Sequence, residues 1–371
     1  MITLMINCKY PRLIVFLVLI ACLGTARADG SFAGGDLASA AVVSGSAYTW
    51  GINLAGGAGA SFSAPQKVPQ LIGVNTVALG RGFAVALKND GTCVSWGNNF
   101  SGQLGNGTDK NSPVPVTVKN LTDVTAISCG EKFVLALQKS GLVVAWGSNE
   151  YGQLGNGNTI DKSTFTPVKN LTHVIAIAAG ANHCLALKSD GTVWAWGKNI
   201  DGQLGDGTDE NRSIPVQVKG LNNVISIAAG WGHSLAAKKD GTVWAWGNNG
   251  AAQLGNGNNT RQNTPAQARG LTKITQVAAG KWFSMALKSD GTVWTWGSGG
   301  AGQLGDGTRK DRSTAAAVPK LTGVTAISAG NWHALAKKSD GTLWAWGDNS
   351  MGQLGTGNTT DQLAPVAVQG L

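Results

Sequence analysis

The chain has 371 residues, with 54 Gly, 14 Trp, only 13% charged residues and a formal net charge of +9. High tryptophan with little charge excludes a disordered chain, which needs low hydrophobicity and high net charge. Length alone suggests about two domains, but a fixed internal period overrides that, because repeat arrays form one continuous body.

Residues 1–28 read as a secretory signal peptide. Lys9 and Arg12 form a basic flank, residues 13–23 are an apolar run too short to span a bilayer, and Ala26-Arg27-Ala28 places the cut before Asp29. A second reading stands beside it: Leu19-Ile20-Ala21-Cys22 has the form of a bacterial lipobox, which makes Cys22 a lipidated N-terminus. On either reading the chain is exported, periplasmic or extracellular, and residues 29–371 form a single domain. No later run approaches the roughly twenty apolar residues of a membrane helix. The presequence holds three basic residues (Lys9, Arg12, Arg27) and no acid, so of 29 basic and 20 acidic residues the remainder keeps 26 and 20, a net +6. Cys93, Cys129 and Cys184 remain there; they occupy different repeat positions and their number is odd. We expect small buried thiols, not a disulfide framework.

From Trp96 the chain reads WGNNFSGQLGNG, and the same stretch returns at Trp146, Trp196, Trp246, Trp296 and Trp346, fifty residues apart each time. An eroded copy begins at Trp50. Residues 221–267 represent one repeat. Val224 to Ala229 is an apolar strand, a, ending at Gly230. His233 to Lys238 is strand b. Asp240-Gly241 is a hairpin signal whose two residues both need positive φ. Thr242 to Trp246 is strand c. A long loop follows, and Pro265 opens strand d, where proline is tolerated only at a sheet edge. Four short antiparallel strands per fifty residues describe one propeller blade.

Trp244 and Trp246 are two apart on a strand and share a sheet face. Ala245 and the run Ala228-Ala229-Gly230 are small, so a large face on one blade packs on a small face of the next. Each such tryptophan buries roughly 150–250 Å², on the order of 4–6 kcal/mol of gross transfer energy. The first repeat starts at Ser31-Phe32-Ala33-Gly34, inside strand a, and residues 364–371 supply a last strand d. The fold class is therefore all-β, a seven-bladed β-propeller of four-stranded antiparallel blades, with the C-terminal strand expected to join the N-terminal blade and close the ring.

The A-G-x-x-H, D-G-x-V-x-x-W-G and G-Q-L-G-x-G elements resemble the regulator of chromosome condensation repeat family, over essentially all of 31–371. The resemblance implies a seven-bladed propeller closed by strand exchange between the termini. It does not choose a function: one eukaryotic member is a nucleotide exchange factor for a small nuclear GTPase, another is a plant UV-B photoreceptor, and others are secreted bacterial inhibitors of β-lactamases.

His183, His233 and His333 share one repeat position, but Phe83, Phe133 and Phe283 hold it in other copies. A metal ligand would not alternate with phenylalanine, so these histidines read as core packing. No Cys/His pattern supports a zinc or nucleophilic site. The acids after G-Q-L-G (Asp109, Asp161, Asp206, Asp209, Asp306, Asp311, Asp361) match no calcium loop, and Asx turns explain them. We expect no catalytic residues, no metal, no cofactor and a monomer.

Strand alternation sorts the surface. The b–c turns and d–a connections gather Lys88, Lys119, Lys188, Lys238, Lys288, Lys338 and other bases on one face. That face reads as solvated, or as a footprint for an anionic envelope polymer. Export disfavours nucleic acid. The other face carries the three tryptophans outside the strand pattern, Trp231, Trp282 and Trp332, all in a–b loops. Beside them lie Arg81, Lys132, Asn182, Lys281 and Asn331. Phe100, Tyr151, Ile200 and Met351 vary just before G-Q-L-G. Aromatic variation on an invariant scaffold suits protein recognition. The expected function is an exported, non-enzymatic protein-binding scaffold, inhibitory toward a secreted or periplasmic partner. A guanine-nucleotide exchange role is the alternative.

Overall fold

A computed structural model describes residues 31–54 and 61–371. The signal-peptide and lipobox readings fall outside the described residues. Among the described residues, 28 strands form seven four-stranded antiparallel sheets. The blades run 32–67, 74–117, 124–167, 174–217, 224–267, 274–317 and 324–367. The chain is all-β, a seven-bladed propeller.

Blade 5 shows the local logic. Its strands are Val224–Ala229 (a), His233–Lys238 (b), Val243–Gly247 (c) and Gln262–Gln267 (d), hydrogen-bonded in that order. Strand d starts before Pro265, at Gln262. It is an edge strand, which is why Pro265 fits without costing a ladder hydrogen bond. The Asp240-Gly241 hairpin differs from the expectation: only Gly241 has positive φ, at 81°. The Gly241 N–H donates to the Lys238 carbonyl (2.9 Å) and the Lys238 N–H donates to the Thr242 carbonyl (2.9 Å). This is a three-residue loop, a type I turn followed by a left-handed glycine. The Asp240 carboxylate holds it by accepting from the Thr242 N–H (3.0 Å) and Oγ1–H (2.6 Å).

The seams between blades are built from the strand-c tryptophans. Trp50, Trp146, Trp196, Trp246, Trp296 and Trp346 are fully buried, and Trp96 is nearly so. Trp246 shares a core cluster with Ala176 and Ala195 of blade 4, small residues as expected, and also with Leu185 and Leu204 of that blade. Its indole Nε1–H donates to the main-chain carbonyl of Gln203, 2.8 Å away across the seam. That glutamine is the Q of G-Q-L-G. Leu204 is fully buried. A Cβ on Gly205 (φ 69°) would lie 2.8 Å from Trp246 Nε1. The G-Q-L-G stretch is thus a clasp gripping the next blade's tryptophan.

Ring closure corrects one expectation. The C-terminal strand, Gln362–Ala367, pairs with strand c of its own blade and not with the N-terminal blade. Each copy already holds its own strand d, including Ser61–Lys67 in blade 1, so nothing is left to exchange. The ring closes through the same clasp as the other seams: the Trp50 Nε1–H donates to the Gln353 carbonyl at 2.8 Å.

Candidate protein-docking face

Strand a is the innermost strand of each blade. The seven strand-a ends line a central cavity of about 130 Å³, walled by residues such as Gly80, Gly130, Ala179, Gly180, Ala229 and Gly230. That is small beside the roughly 300–1,000 Å³ of a small-molecule site. The channel itself is thus too small for such a ligand, and the side chains around its mouth are what it offers a partner.

Each a–b loop is two residues long between the glycine ending strand a and the first residue of strand b. Its first position reads, from blade 1 to blade 7, Asp36, Arg81, Glu131, Ala181, Trp231, Lys281 and Asn331. Main-chain bonds lock these loops into a collar. The N–H of Arg81 donates to Glu131 O (3.0 Å), Glu131 to Ala181 O (3.0 Å), Lys281 to Asn331 O (3.0 Å) and Asn331 to Gly35 O (2.9 Å). Backbone holds the collar, so its side chains are free to vary.

They divide into two arcs. In the polar arc, Asn331 Nδ2 donates to Asp36 Oδ1. Arg81 sits between two acids, with Nε 3.6 Å from Asp36 Oδ2 and Nη1 2.6 Å from Glu131 Oε1. The hydrogen bond and charge of Glu131 raise the guanidinium's already high pKa. The Arg81 side chain is 60% exposed, so screening leaves these pairs little stability. In the aromatic arc, the Trp231 and Trp282 rings meet edge to face with centroids 5.0 Å apart. Lys281 Nζ lies 4.6 Å from the Trp231 centroid and 5.3 Å from that of Trp332. Trp231 is 39% exposed, and Trp282 and Trp332 are half-buried.

The remaining candidates lie around this core. Lys132 and Asn182 occupy second loop positions on the polar side, and their main-chain carbonyls accept from Ser148 and Lys198 N–H (2.9 Å each). The residues before G-Q-L-G fall into two classes. Phe100 and Ile200 occupy an outward position and are 79% and 55% exposed. Tyr151 and Met351 occupy the next position and are half-buried, Tyr151 beneath Lys198 Nζ at 5.2 Å. Asp36 and Glu131 were missed. Aligning the seven a–b loops exposes them, because they belong to a column that changes charge and size inside an otherwise uniform frame.

The histidines are structural, as expected, through a partner the sequence reading did not identify. His183, His233 and His333 are fully buried. Their Nε2 atoms lie 2.9, 3.0 and 2.8 Å from the hydroxyls of Ser234, Ser284 and Ser39 on the following blade. Each serine donates its own proton to the clasp glutamine carbonyl, as Ser234 does to Gln203 O at 2.8 Å. The histidine must therefore donate from Nε2, which leaves Nδ1 as a buried lone pair without a partner. Burial pushes the imidazole pKa down from 6.5 to about 3 for His183 and His233 and about 4 for His333. Where phenylalanine replaces histidine, the facing residue is apolar or a thiol: Phe83 with Val134, Phe133 with Cys184, Phe283 with Ala334.

The opposite face holds less free charge than its composition suggests. Lys188, Lys238 and Lys338 lie over Trp194, Trp244 and Trp344 at 5.3–5.7 Å. The same ammonium groups reach Asp190, Asp240 and Asp340 at 3.9–4.0 Å. In the c–d loops the acids serve turns and ion pairs: Asp206 accepts from Thr208 N–H (2.9 Å) and pairs with Arg212 (3.0 Å). Among the described residues no group of three or more His, Cys, Asp or Glu is placed to hold a metal ion. No described helix is long and apolar enough to cross a membrane. Cys93 and Cys184 are buried free thiols and Cys129 is a half-buried one. Burial first, then the charge of Asp90, pushes Cys93 up to about 12.

The model of the RCC1-like domain matches residues 11–272 and 169–371. No curated protein matches the chain. Among solved structures, human WBSCR16 is similar at 26% identity and a TM-score of 0.79, over 87% of this chain and 94% of that one. Prp20p from Saccharomyces cerevisiae, studied for binding to Gsp1p and histones, superposes at 20% identity and a TM-score of 0.80, over 94% and 88%. Yeast RCC1 (Prp20) bound to Kap60 superposes at 22% identity and 0.76, over 87% and 83%.

Proposed function

The chain belongs to the RCC1-like domain family, and from that premise we propose that it is a non-enzymatic, exported scaffold that docks a protein partner on the a–b/c–d face. One observation carries the reading: the three tryptophans that break the repeat converge with Lys281 at the channel mouth. They lie in loops held by main-chain bonds, not in the blade seams that stabilise the ring. Exposed tryptophan and cationic side chains at a rigid rim are the residue types that dominate protein interfaces. Yeast Prp20p, studied for binding to Gsp1p and histones and bound to Kap60, offers precedent for the fold presenting surfaces to proteins. Export rests on the basic, apolar and A-x-A pattern of residues 1–28, and the partner we have in mind is a secreted or periplasmic protein that docking inhibits.

The test is capture of a partner from envelope extract by the mature propeller and by a Trp231→Ala, Trp282→Ala, Trp332→Ala variant. Loss of capture at an unchanged unfolding midpoint supports docking. Equal capture by both removes it. Fractionation of cells expressing the full chain checks export, and retention in the cytoplasm removes that part of the reading.

A further inference from the structure

Lysines stacked on aromatic rings fall into two groups, with and without an acidic partner: Lys288 over Trp294 (4.7 Å) and Lys198 over Tyr151 (5.2 Å) have no ion pair within 4 Å among the described residues. Lys188, Lys238 and Lys338 each combine a tryptophan face with an aspartate counter-ion from the same hairpin. Lys281 lies over two tryptophan rings and pairs with no carboxylate among the described residues. Of the nearby acids, Asp36 and Glu131 stand on the other arc, engaged by Arg81 and Asn331, and Asp201, beside Gly232, accepts from Asn248 Nδ2 at 3.0 Å. Lys281 is thus a cation on an apolar surface whose counter-charge does not come from its own collar.

The rim over this arc is low. The second a–b loop position of blade 5, Gly232, has Asp201 of the blade 4 c–d loop as its outward neighbour: a Cβ on Gly232 would meet Asp201 Oδ2 at 3.3 Å. The fifty-residue repeat makes Ala251 the equivalent neighbour of Trp282 and Ala301 that of Trp332. The exposed tips beyond are Gly250 and Gly300, where blades 2 and 4 raise Phe100 and Ile200. Large side chains in these a–b loops go with small residues in the neighbouring c–d loops. The rim beside the tryptophans is therefore built of small residues in blades 5 and 6, and at Gly300 the carbonyl accepts from Arg309 Nη1 at 2.9 Å. The cavity beyond the tryptophans, about 130 Å³, is too narrow to take a chain inward.

We infer that this arc receives an extended acidic peptide segment of a protein partner. Its carboxylate sits on Lys281, its apolar flanks lie against Trp231, Trp282 and Trp332, and its backbone leaves over Gly250-Ala251 and Gly300-Ala301. The inference rests on the docking reading and specifies its chemistry. A carboxylate completes the cation between the rings, where desolvation strengthens the pair. A basic segment would meet Lys281 uncompensated at the centre of the three rings.

The probes are three capped, dye-labelled pentapeptides with Glu, Gln or Lys between two phenylalanines, and polygalacturonate as an anionic glycan. Binding to the mature propeller is read by fluorescence polarisation. The expected result is roughly tenfold tighter binding of the Glu peptide than of the Gln or Lys peptide. Lys281→Met, which keeps the stem packed between the rings, abolishes that preference and leaves weak common binding. Equal binding of the three peptides overturns the inference. So does a Glu preference that survives in Lys281→Met, or Lys281-dependent binding of polygalacturonate alone. If no peptide binds while tryptophan-dependent capture holds, docking stands and the acidic segment falls. If capture is also insensitive to the tryptophans, both fall.

Discussion

His333 Nε2 lies 2.8 Å from Ser39 Oγ, although 294 positions separate the two residues. The pair sits where blade 7 meets blade 1, and Ser39 passes its proton on to the Gln353 carbonyl at 2.8 Å. Ser39→Ala leaves a buried ring N–H without an acceptor, a cost of about 1–3 kcal/mol. His333→Phe with Ser39→Ala copies the Phe283–Ala334 seam and recovers most of that loss. Urea unfolding of the two singles and the double checks it; additive losses contradict a direct bond.

The same three seams set the acid response. Burial holds His183 and His233 near pKa 3 and His333 near 4, below the ordinary imidazole value. As pH falls, the unfolded chain takes up protons first. The stability is fully present above about pH 6.5 and is lost as pH falls toward the folded values. The slope is about 1.4 kcal/mol per pH unit for each histidine, or about 4 for all three. Asp90, lowered from 3.8 to about 2 chiefly by its hydrogen bonds from Thr92, loses its contribution only as pH falls below about 4, at the acid end of this window. Unfolding midpoints between about pH 7 and pH 5 test the slope. A variant with Phe at the three histidines and Ala at Ser234, Ser284 and Ser39 flattens it.

Tryptophans of the two classes respond differently to truncation. Trp246→Ala empties a fully buried seam and removes the bond to Gln203 O, a loss of about 3–5 kcal/mol. Trp282→Ala, in a half-buried loop position, costs less than about 1 kcal/mol. Thermal midpoints of the two single variants decide this, and similar values contradict the division.

Glycine substitutions separate crowding from backbone strain. Gly205 and Gly220 have φ of 69° and 70°. A Cβ on Gly205 meets Trp246 and Val218 within 2.8–2.9 Å, whereas nothing lies within 4 Å of one on Gly220. Gly220→Ala therefore costs only the left-handed strain, about 1–2 kcal/mol. Gly205→Ala adds the collision and costs more. Gly220→Asn is milder still, since Asn120 and Asn170 adopt φ of 58° and 55° at the same repeat position. Urea midpoints rank the three.

The fifty-residue period made the blades, the edge position of strand d and the small-on-large seams legible, because strand alternation and residue size act locally. The sequence reading stopped where contacts cross blades. His233 looked like packing because phenylalanine replaces it elsewhere, but its serine partner is 51 positions away and is found only when repeats are compared in neighbouring pairs. Strand exchange was expected from the start of the first repeat inside strand a and the strand d at residues 364–371, and the resemblance implied it too, although Ser61–Lys67 already completes blade 1. At the mouth the three tryptophans announced themselves by breaking the repeat. Asp36 and Glu131 did not, since a lone acid in a loop is ordinary until Arg81 is seen between them.

Six joints of the ring, those of Trp50, Trp146, Trp196, Trp246, Trp296 and Trp346, hang on a main-chain atom. The Gln203 carbonyl oxygen accepts from both Trp246 Nε1 and Ser234 Oγ at 2.8 Å, and Gln353 O does the same for Trp50 and Ser39. A carbonyl oxygen has two lone pairs and belongs to every residue type. Point mutation can strip a donor from a joint but cannot delete its acceptor. Cys184 is already a worn version, offering a thiol to Gln153 O at 3.2 Å beside an intact Trp196. The copies are thereby free to diverge one at a time, and an ancestral array of identical units can acquire seven different loops without a moment at which the circle fails to hold.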